Sequence, residues 1–431
     1  MTTAPKPITD PVEEHPVGAA TWPRPRRGFI PLLGLTVATA YGALLAQAVL
    51  TLSLKSNELD AENATTVLSI VVAVGSIAAL IGNPLLGRLS DRTLSRIGRR
   101  RPYLLLGAAA AVLGAFLAVA ATSTALLAAS YVVTTAGMVS ITVACAAIVP
   151  DQIAPDKRGA PSAMIGLGAP IGAVIGLFLA QLVQPNLTAM FLLPAAVSAL
   201  TALILALTIK DRRLERSERP RFSFRELLMT FWVDPRRSPS FAWAWASRLM
   251  IFFGVATVNA YQAFYLIMVH GVDPATVGTS ILIATSILSG VSLLLAPVIG
   301  KISDRVGRRK PFVIVAAIVF GLGLGLVAIA PSYSMFLVAV AVMGAGQGVY
   351  FAVDFALVTE VLPDPDNPAK DLGLMNLATS LPSTLVPAIA PALLAIGATA
   401  ANPQNFTALF VAGVIAAFLG AVFIVPIRQV R

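Results

Sequence analysis

The sequence predicts an all-α membrane protein: twelve transmembrane helices arranged as two pseudo-symmetric six-helix bundles. Three observations carry that prediction. Of 431 residues, 57% are hydrophobic and only 12% charged, and the mean hydropathy is +0.82. Soluble domains carry about 25% charged residues, so a soluble chain this apolar would have too little polar surface to turn to water. Second, runs such as 29–54, 102–121 and 406–426 hold no charge, and a bilayer core about 30 Å thick is crossed by ~20 apolar residues rising 1.5 Å each. Third, one basic stretch is written twice, GRLSDRTLSRIGRRRP at 87–102 and GKISDRVGRRKP at 300–311, each time after an apolar run.

The elements follow in order. Residues 1–27 are polar and Pro-rich and are expected to form a disordered cytoplasmic tail. They hold no apolar stretch of the length that a signal peptide needs. Spans 1 (29–54) and 2 (65–87) lead into the first basic loop. Spans 3 (102–122) and 4 (125–149) are separated by so short a turn that they form a hairpin. Spans 5 (160–183) and 6 (188–209) complete the first bundle, 28–209. The stretch 210–240 is a cytoplasmic linker. Within it, FSFRELLMTFWVD places Phe224, Leu227, Leu228, Phe231 and Trp232 at i, i+3, i+4, i+7 and i+8. That is an amphipathic helix, suited to lying on the inner leaflet or to packing under the bundle. Trp243 and Trp245 open span 7 (241–269), where interfacial aromatic residues sit. Span 8 (277–299) leads into the second basic loop, and spans 9 (311–330) and 10 (335–361) form the second hairpin. Spans 11 (372–396) and 12 (406–426) close the second bundle, 241–427, before a tail at 428–431.

With both termini inside, 29 of the 31 Lys and Arg residues fall on inside segments; only Lys55 is outside and Arg248 lies within a span. That bias sets the sidedness and accounts for the net charge of +10. Nucleic-acid binding, the usual reading of so basic a chain, is set aside because the charge is scattered over separate loops. The one cysteine, Cys145, allows no intrachain disulfide.

The duplication extends beyond the basic loops. Asp91 and Asp304 are 213 residues apart, and Pro150, Asp151, Pro155 and Lys157 recur at the same offset as Pro363, Asp364, Pro368 and Lys370. The first basic loop carries four extra residues within 93–97. GRLSDRTLSRIGRRRP resembles the loop 2–3 signature of the major facilitator superfamily, and GKISDRVGRRKP resembles its second-half counterpart. The likeness covers the chain from about residue 28. The wider pattern DRTxSRxGRRRP is similar to that of the glycoside/sucrose:cation symporter branch.

The resemblance implies a secondary active transporter working by alternating access around a midplane site. For that branch it implies cation-coupled uptake of a sugar or glycoside; the one titratable acid within a span, Asp354, puts the proton ahead of sodium as the expected coupling ion. The protein is expected in the cell (plasma or inner) membrane, multi-pass, monomeric, in contact with the lipid bilayer, and with no cofactor. The resemblance also implies that Asp91 meets the start of span 11 near Asp371 and that Arg92 reaches Asp151. By the repeat, Asp304 faces the start of span 5 and Arg305 reaches Asp364 or Glu360. These contacts would latch the inside face in the outward-open state; the alternative is a loop that only enforces topology. In span 5, IGLGAPIGAVIG (165–176) faintly resembles the glycine–proline motif of drug antiporters, but Ala169 precedes Pro170 and Gly172 follows too soon. Proton-driven efflux of drug-like or metabolite molecules is therefore the alternative function, and helix packing the simpler role for those glycines.

Two charges lie clearly within spans, Arg248 and Asp354. Each costs ~2.5–3.5 kcal/mol at a helix centre, and both sit roughly 12 Å from the inside face at 1.5 Å per residue. Equal depth predicts an ion pair, either a coupling device opened by protonation or substrate, or a permanent brace. Candidates for substrate contact are Tyr41 and Gln47 in span 1, Asn259, Tyr261, Gln262 and Tyr265 in span 7, Gln347 and Tyr350 in span 10, and Asn376 in span 11. Amides and phenols can bond sugar hydroxyls; interhelical bonding is the ordinary alternative for each. His270, at the outer end of span 7, reads as a solvated loop residue. No catalytic or metal constellation is expected. The two histidines, His15 and His270, lie outside the spans and no second acid accompanies Asp354. GNPLLGRL has the spacing of a phosphate loop, but Arg88 and Leu89 stand where Lys and Ser or Thr are needed. A non-transporting sensor is not expected, because the tails read here are short for an attached soluble domain.

Overall fold

The computed structural model describes residues 28–154, 157–211, 213–214, 235–363, 368–399 and 404–427. The expected tails, the amphipathic helix at 222–234 and Asp364 lie outside the described residues. The first half comprises α1 (Phe29–Leu59), α2 (Ala64–Asp91), α3 (Arg101–Val119), α4 (Thr124–Gln152), α5 (Gly159–Gly166 continued by Gly168–Leu182) and α6 (Leu187–Thr208). The second comprises α7 (Pro239–Met268), α8 (Val277–Val306), α9 (Lys310–Ala328), α10 (Tyr333–Glu360), α11 (Pro368–Ser380 continued by Pro382–Ala395) and α12 (Phe406–Ile424). Among the described residues, eleven helices are long and apolar enough to cross a membrane, or twelve with the bent α5 counted as one span, and there is no strand.

Helices α2 and α8 outrun the apolar segments and absorb the start of both basic loops, because nothing in GRLSD or GKISD breaks a helix. Helix α8 stops at Gly307, whose φ of +64° places it in the left-handed region that favours glycine. Helix α5 bends by 46° around Leu167. Pro170 has no N–H to return to the carbonyl of Gly166, which loosens the ladder there. Beyond the bend, α5 backs onto α1 so closely that a Cβ on Gly176 would collide with the Gly42 carbonyl oxygen. Backbone contact of this kind drives association where lipid offers no hydrophobic gain, so the α5 glycines have a packing role.

The distribution of the core describes the shape. At the end away from the basic loops, one continuous apolar cluster joins both halves: Leu50, Leu68 and Phe191 pack with Val258, Phe264, Phe336 and Phe410. At the basic end the cores are separate. Leu33, Leu104, Ile141 and Leu205 belong to the first half alone, while Phe241, Val313, Val353 and Ile424 belong to the second. Helix α2 packs on α11 and α8 on α5, contacts related by the internal repeat. Polar ties cross the closed seam. Ser69 and Tyr261 hydroxyls are 2.6 Å apart, Gln404 donates to Thr65 at 2.9 Å, Gln181 to Thr279 at 3.2 Å, and Gln184 to the Pro274 carbonyl at 2.8 Å. The halves are joined at the far end and hold separate cores at the basic end, which is the geometry of a cleft opening toward the basic loops.

Candidate functional site

The cleft wall of the second half is built from two helical stripes. On α7, Arg248, Phe252, Val255 and Asn259 recur at spacings of four and three, one face of a helix. On α10, Gln347, Tyr350, Phe351 and Asp354 do the same. Arg248 Nη2 lies 3.1 Å from Asp354 Oδ2, with both side chains largely buried, so the predicted ion pair is present. The guanidinium sits 6.0 Å from the Phe252 ring centroid, within cation–π range. Phe252 meets Tyr350 edge to face at 5.9 Å, and the Tyr350 hydroxyl is beside the Asp354 carboxylate. Phe252, Val255, Phe320, Gln347, Tyr350 and Phe351 line a small pocket. Gln347 Oε1, in that lining, and Arg248 Nε, one turn away on α7, are buried without hydrogen-bond partners, although buried polar atoms in proteins are almost always bonded.

The other sequence candidates are placed differently. Tyr261 and Tyr265 belong to the closed seam. Tyr261 is fully buried against Ser69; Tyr265 donates to the Val327 carbonyl at 2.6 Å and is ringed by Phe336, Phe406 and Phe410. Both phenols are engaged by protein in this conformation, so the expected Asn259–Tyr265 cluster divides: Asn259 is exposed, while Tyr261, Gln262 and Tyr265 are buried. Tyr41 is half-buried against Gly168 and Gly172, Gln47 is buried, and Asn376 is exposed on α11. His270 lies in the turn after α7 and is half-buried rather than fully solvated. Its ring packs edge-on to Tyr265 at 4.9 Å, and burial pushes its pKa below the ordinary histidine value.

At the basic end each half carries an arginine-centred cluster. In the first, Arg100 holds Asp91 at 2.7 Å, Asp151 at 2.8 Å and the Ser90 hydroxyl at 2.8 Å, while Arg99 adds a 2.6 Å bond to Asp151. The expected Arg92–Asp151 pair, which belongs to the outward-open state, is absent from this conformation, where Arg99 and Arg100 occupy both Asp151 oxygens. Arg92 is the residue on which α2 ends, whereas Arg100 stands at the entry to α3 and reaches back to α2 and across to α4. Burial alone would lower the Arg100 pKa, but the hydrogen bonds and charges of Asp151 and Asp91 outweigh it and hold it above the ordinary value. In the second cluster, Arg309 holds Asp304 at 2.6 Å, Ser303 at 3.2 Å and Glu360 at 3.7 Å. Arg309 therefore takes the position expected of Arg305, which points outward from the last turn of α8. Asp91 does not turn to α11, although α2 packs against that helix; its carboxylate goes to Arg100 within its own half.

Sequence reasoning also missed Asp211. Its carboxylate accepts the backbone N–H groups of Arg100 and Arg101 at 2.6 and 2.8 Å, capping the positive start of α3. A signal for Arg100 and Arg309 was available, since each stands two residues before the proline that opens the next helix.

A family model described as Major Facilitator Superfamily matches residues 26–294 and 269–430. The MFS-type transporter YfiU of Bacillus subtilis (strain 168), described as uncharacterized, is 36% identical over 98 residues, 23% of this chain and 18% of its own. The multidrug resistance protein MdtL of Shewanella sp. (strain ANA-3) is 36% identical over 94 residues, 22% of each chain. The chain spans about a fifth of the length of the curated relatives it matches. Among solved structures, the nucleoside transporter NupG superposes with a TM-score of 0.70 at 13% identity, over 93% of this chain and 100% of that one. A D-xylose-proton symporter gives 0.65 at 18%, over 94% and 96%. At such identities the likeness is one of fold.

Proposed function

The chain belongs to the Major Facilitator Superfamily, a family of membrane transporters, and from that premise we propose that it takes up a sugar or glycoside together with a cation, by alternating access. The basic face is then cytoplasmic, with both termini inside, and a monomer in the cell membrane does the work. The observation that carries the reading is the Arg248–Asp354 pair beside a small pocket lined by aromatic rings and an unbonded amide. Asp354 is a lone carboxylate, which suits a proton better than sodium, whose binding calls for several oxygen ligands. A proton on Asp354 cancels its charge and releases the guanidinium. Arg248 Nε and Gln347 Oε1 can then bond substrate hydroxyls while Phe252 stacks on a ring face. Loss of the proton restores the pair and expels the substrate. The basic-face residues Asp91, Arg92, Asp151, Asp304, Arg305, Glu360 and Asp364, with Arg99, Arg100 and Arg309, act as the lock that closes the cleft in the outward-open state, the Arg100 cluster as its fixed side and the Arg309 cluster as the side that rearranges.

The second reading is proton-driven efflux of drug-like or metabolite molecules. The apolar lining by Phe252, Val255, Phe320 and Phe351 supports it, and matched relatives carry the name multidrug resistance protein. Proteoliposomes with an imposed pH gradient separate the two. Accumulation of a radiolabelled sugar from a panel supports uptake; gradient-driven expulsion of a hydrophobic dye, with no sugar signal, supports efflux. In either case Asp354→Asn should abolish gradient-driven accumulation and keep solute exchange. Undiminished accumulation in that variant would remove Asp354 from the coupling.

A further inference from the structure

Helix α1 carries a π-helical turn at Gln47–Thr51, where the N–H of Leu52 bonds five residues back to Gln47 instead of four. Such turns are rare and gather at functional sites. Here the turn has company. Gln47 is 2% exposed, Thr51 0% and Lys55 6%. Neither amide atom of Gln47 nor the Thr51 hydroxyl has a hydrogen-bond partner. Lys55 alone is satisfied, by Glu58 at 2.8 Å, whose side chain is 58% exposed. In a plain α-helix, residues four apart drift ~40° around the axis at each step. The wider π turn cancels part of that drift, so Gln47, Thr51 and Lys55 stand nearly in line, from mid-membrane to the outer surface. The turn packs against α7 and α6 in the closed seam.

An unpartnered buried polar atom is costly, and an apolar group of the same shape in its place can be more stable. Three such atoms on one line therefore penalise the closed seam. They gain partners when the seam parts and the line meets water or a ligand. The groups are an amide and a hydroxyl, and the one cation is already neutralised by Glu58. That set fits hydroxyls on a neutral solute and offers nothing to a cationic one. We propose that the Gln47–Thr51–Lys55 line is a station for the hydroxyls of a neutral polyhydroxylated substrate, sealed and dry in the conformation described and open to the outside in the opposite one. The inference rests on the sugar reading of the cleft and extends it to a second set of contacts.

The test uses the full-length protein in proteoliposomes, with Cys145→Ser and a reporter Val258→Cys in the seam. Thr51→Val preserves shape and Gln47→Met nearly so. The account expects each to raise the melting temperature and to cut labelling of the reporter by an impermeant maleimide, added outside, several-fold. Ser198, equally buried and unpartnered but on α6, provides a control: Ser198→Ala should leave labelling unchanged. Unaltered labelling in both α1 variants, or an equal loss in the control, overturns the proposal. A binding arm with radiolabelled sucrose addresses the ligand. Weaker sucrose binding by at least several-fold in Thr51→Val supports the station, and equal binding overturns it. If the unsubstituted protein binds no sugar of a panel while labelling still responds, the sugar reading fails and with it the ligand assigned here, but the gating role of the line stands.

Discussion

The two arginine clusters at the basic end come from the same duplicated sequence and have become different devices. Arg100 is 4% exposed and makes bonds of 2.7–2.8 Å to Asp91, Asp151 and Ser90. Arg309 is 20% exposed, its partners Asp304 and Glu360 are 66% and 44% exposed, and the bond to Glu360 stretches to 3.7 Å. Arg99 joins the first cluster, and Asp211 fixes the backbone on which Arg100 sits. Gly98 makes room for that arrangement: its φ is +114°, and a Cβ there would collide with Asp211. A buried pair is expensive to break because the abandoned charge stays out of water, whereas an exposed pair is worth little. The first cluster therefore staples one half into a rigid body, and the second can rearrange as the protein changes state.

Substitutions can break or sharpen that contrast. The largest effect is expected from Arg100→Gln, which removes three bonds at once, leaving Asp151 to Arg99 and the half-exposed Asp91 to solvent: ~3 kcal/mol of stability, against ~0–1 kcal/mol for Arg309→Gln, read from paired unfolding curves. Equal losses would end the distinction. Next comes Asp151→Asn, which weakens two short charge-assisted bonds and should cost about 1.5–3 kcal/mol, while Glu360→Gln should cost less than ~1 kcal/mol. Asp211→Ala removes the cap from α3 and should cost ~1 kcal/mol; a cost near zero would mean that the linker contributes nothing to the first cluster. The smallest signal is ionic. Raising salt should shift the apparent melting temperature of the Arg100→Gln variant, which relies on the exposed cluster, more than that of Arg309→Gln, because screening acts on exposed charge.

Much of the architecture was legible. Span order followed from charge-free runs, and the bundle repeat from the 213-residue offset. The Arg248–Asp354 pair followed from equal depth, since a lone charge in lipid demands a partner. The identity of the clamping arginines was not legible from Asp-to-Asp alignment, because the four residues added at 93–97 shift Arg100 out of register with Arg309. Counting back from Pro102 and Pro311 restores the match. Polarity alone also does not place Tyr261 and Tyr265. A phenol in a span reads the same whether it faces a cleft or a neighbouring helix. Counting ~100° per residue from Arg248 puts Asn259 on the cleft face and both tyrosines well off it. The break in α5 was foreshadowed by Pro170, whereas the π turn in α1 left no sequence signal that we recognise.

The central claim is that the halves tilt about a shared cleft, closed at the far end in this conformation and able to close at the basic end instead. Pulsed spin-label distances test it most directly, in a Cys145→Ser background. One pair joins Leu94→Cys to Val306→Cys at the basic end; the other joins Glu62→Cys to Ala275→Cys at the far end. The account predicts two populations with opposite signs, in which the basic-end distance shortens by several ångströms as the far-end distance lengthens, with the balance moved by Asp354→Asn. Distances that stay single, or that lengthen and shorten together at both ends, would contradict it.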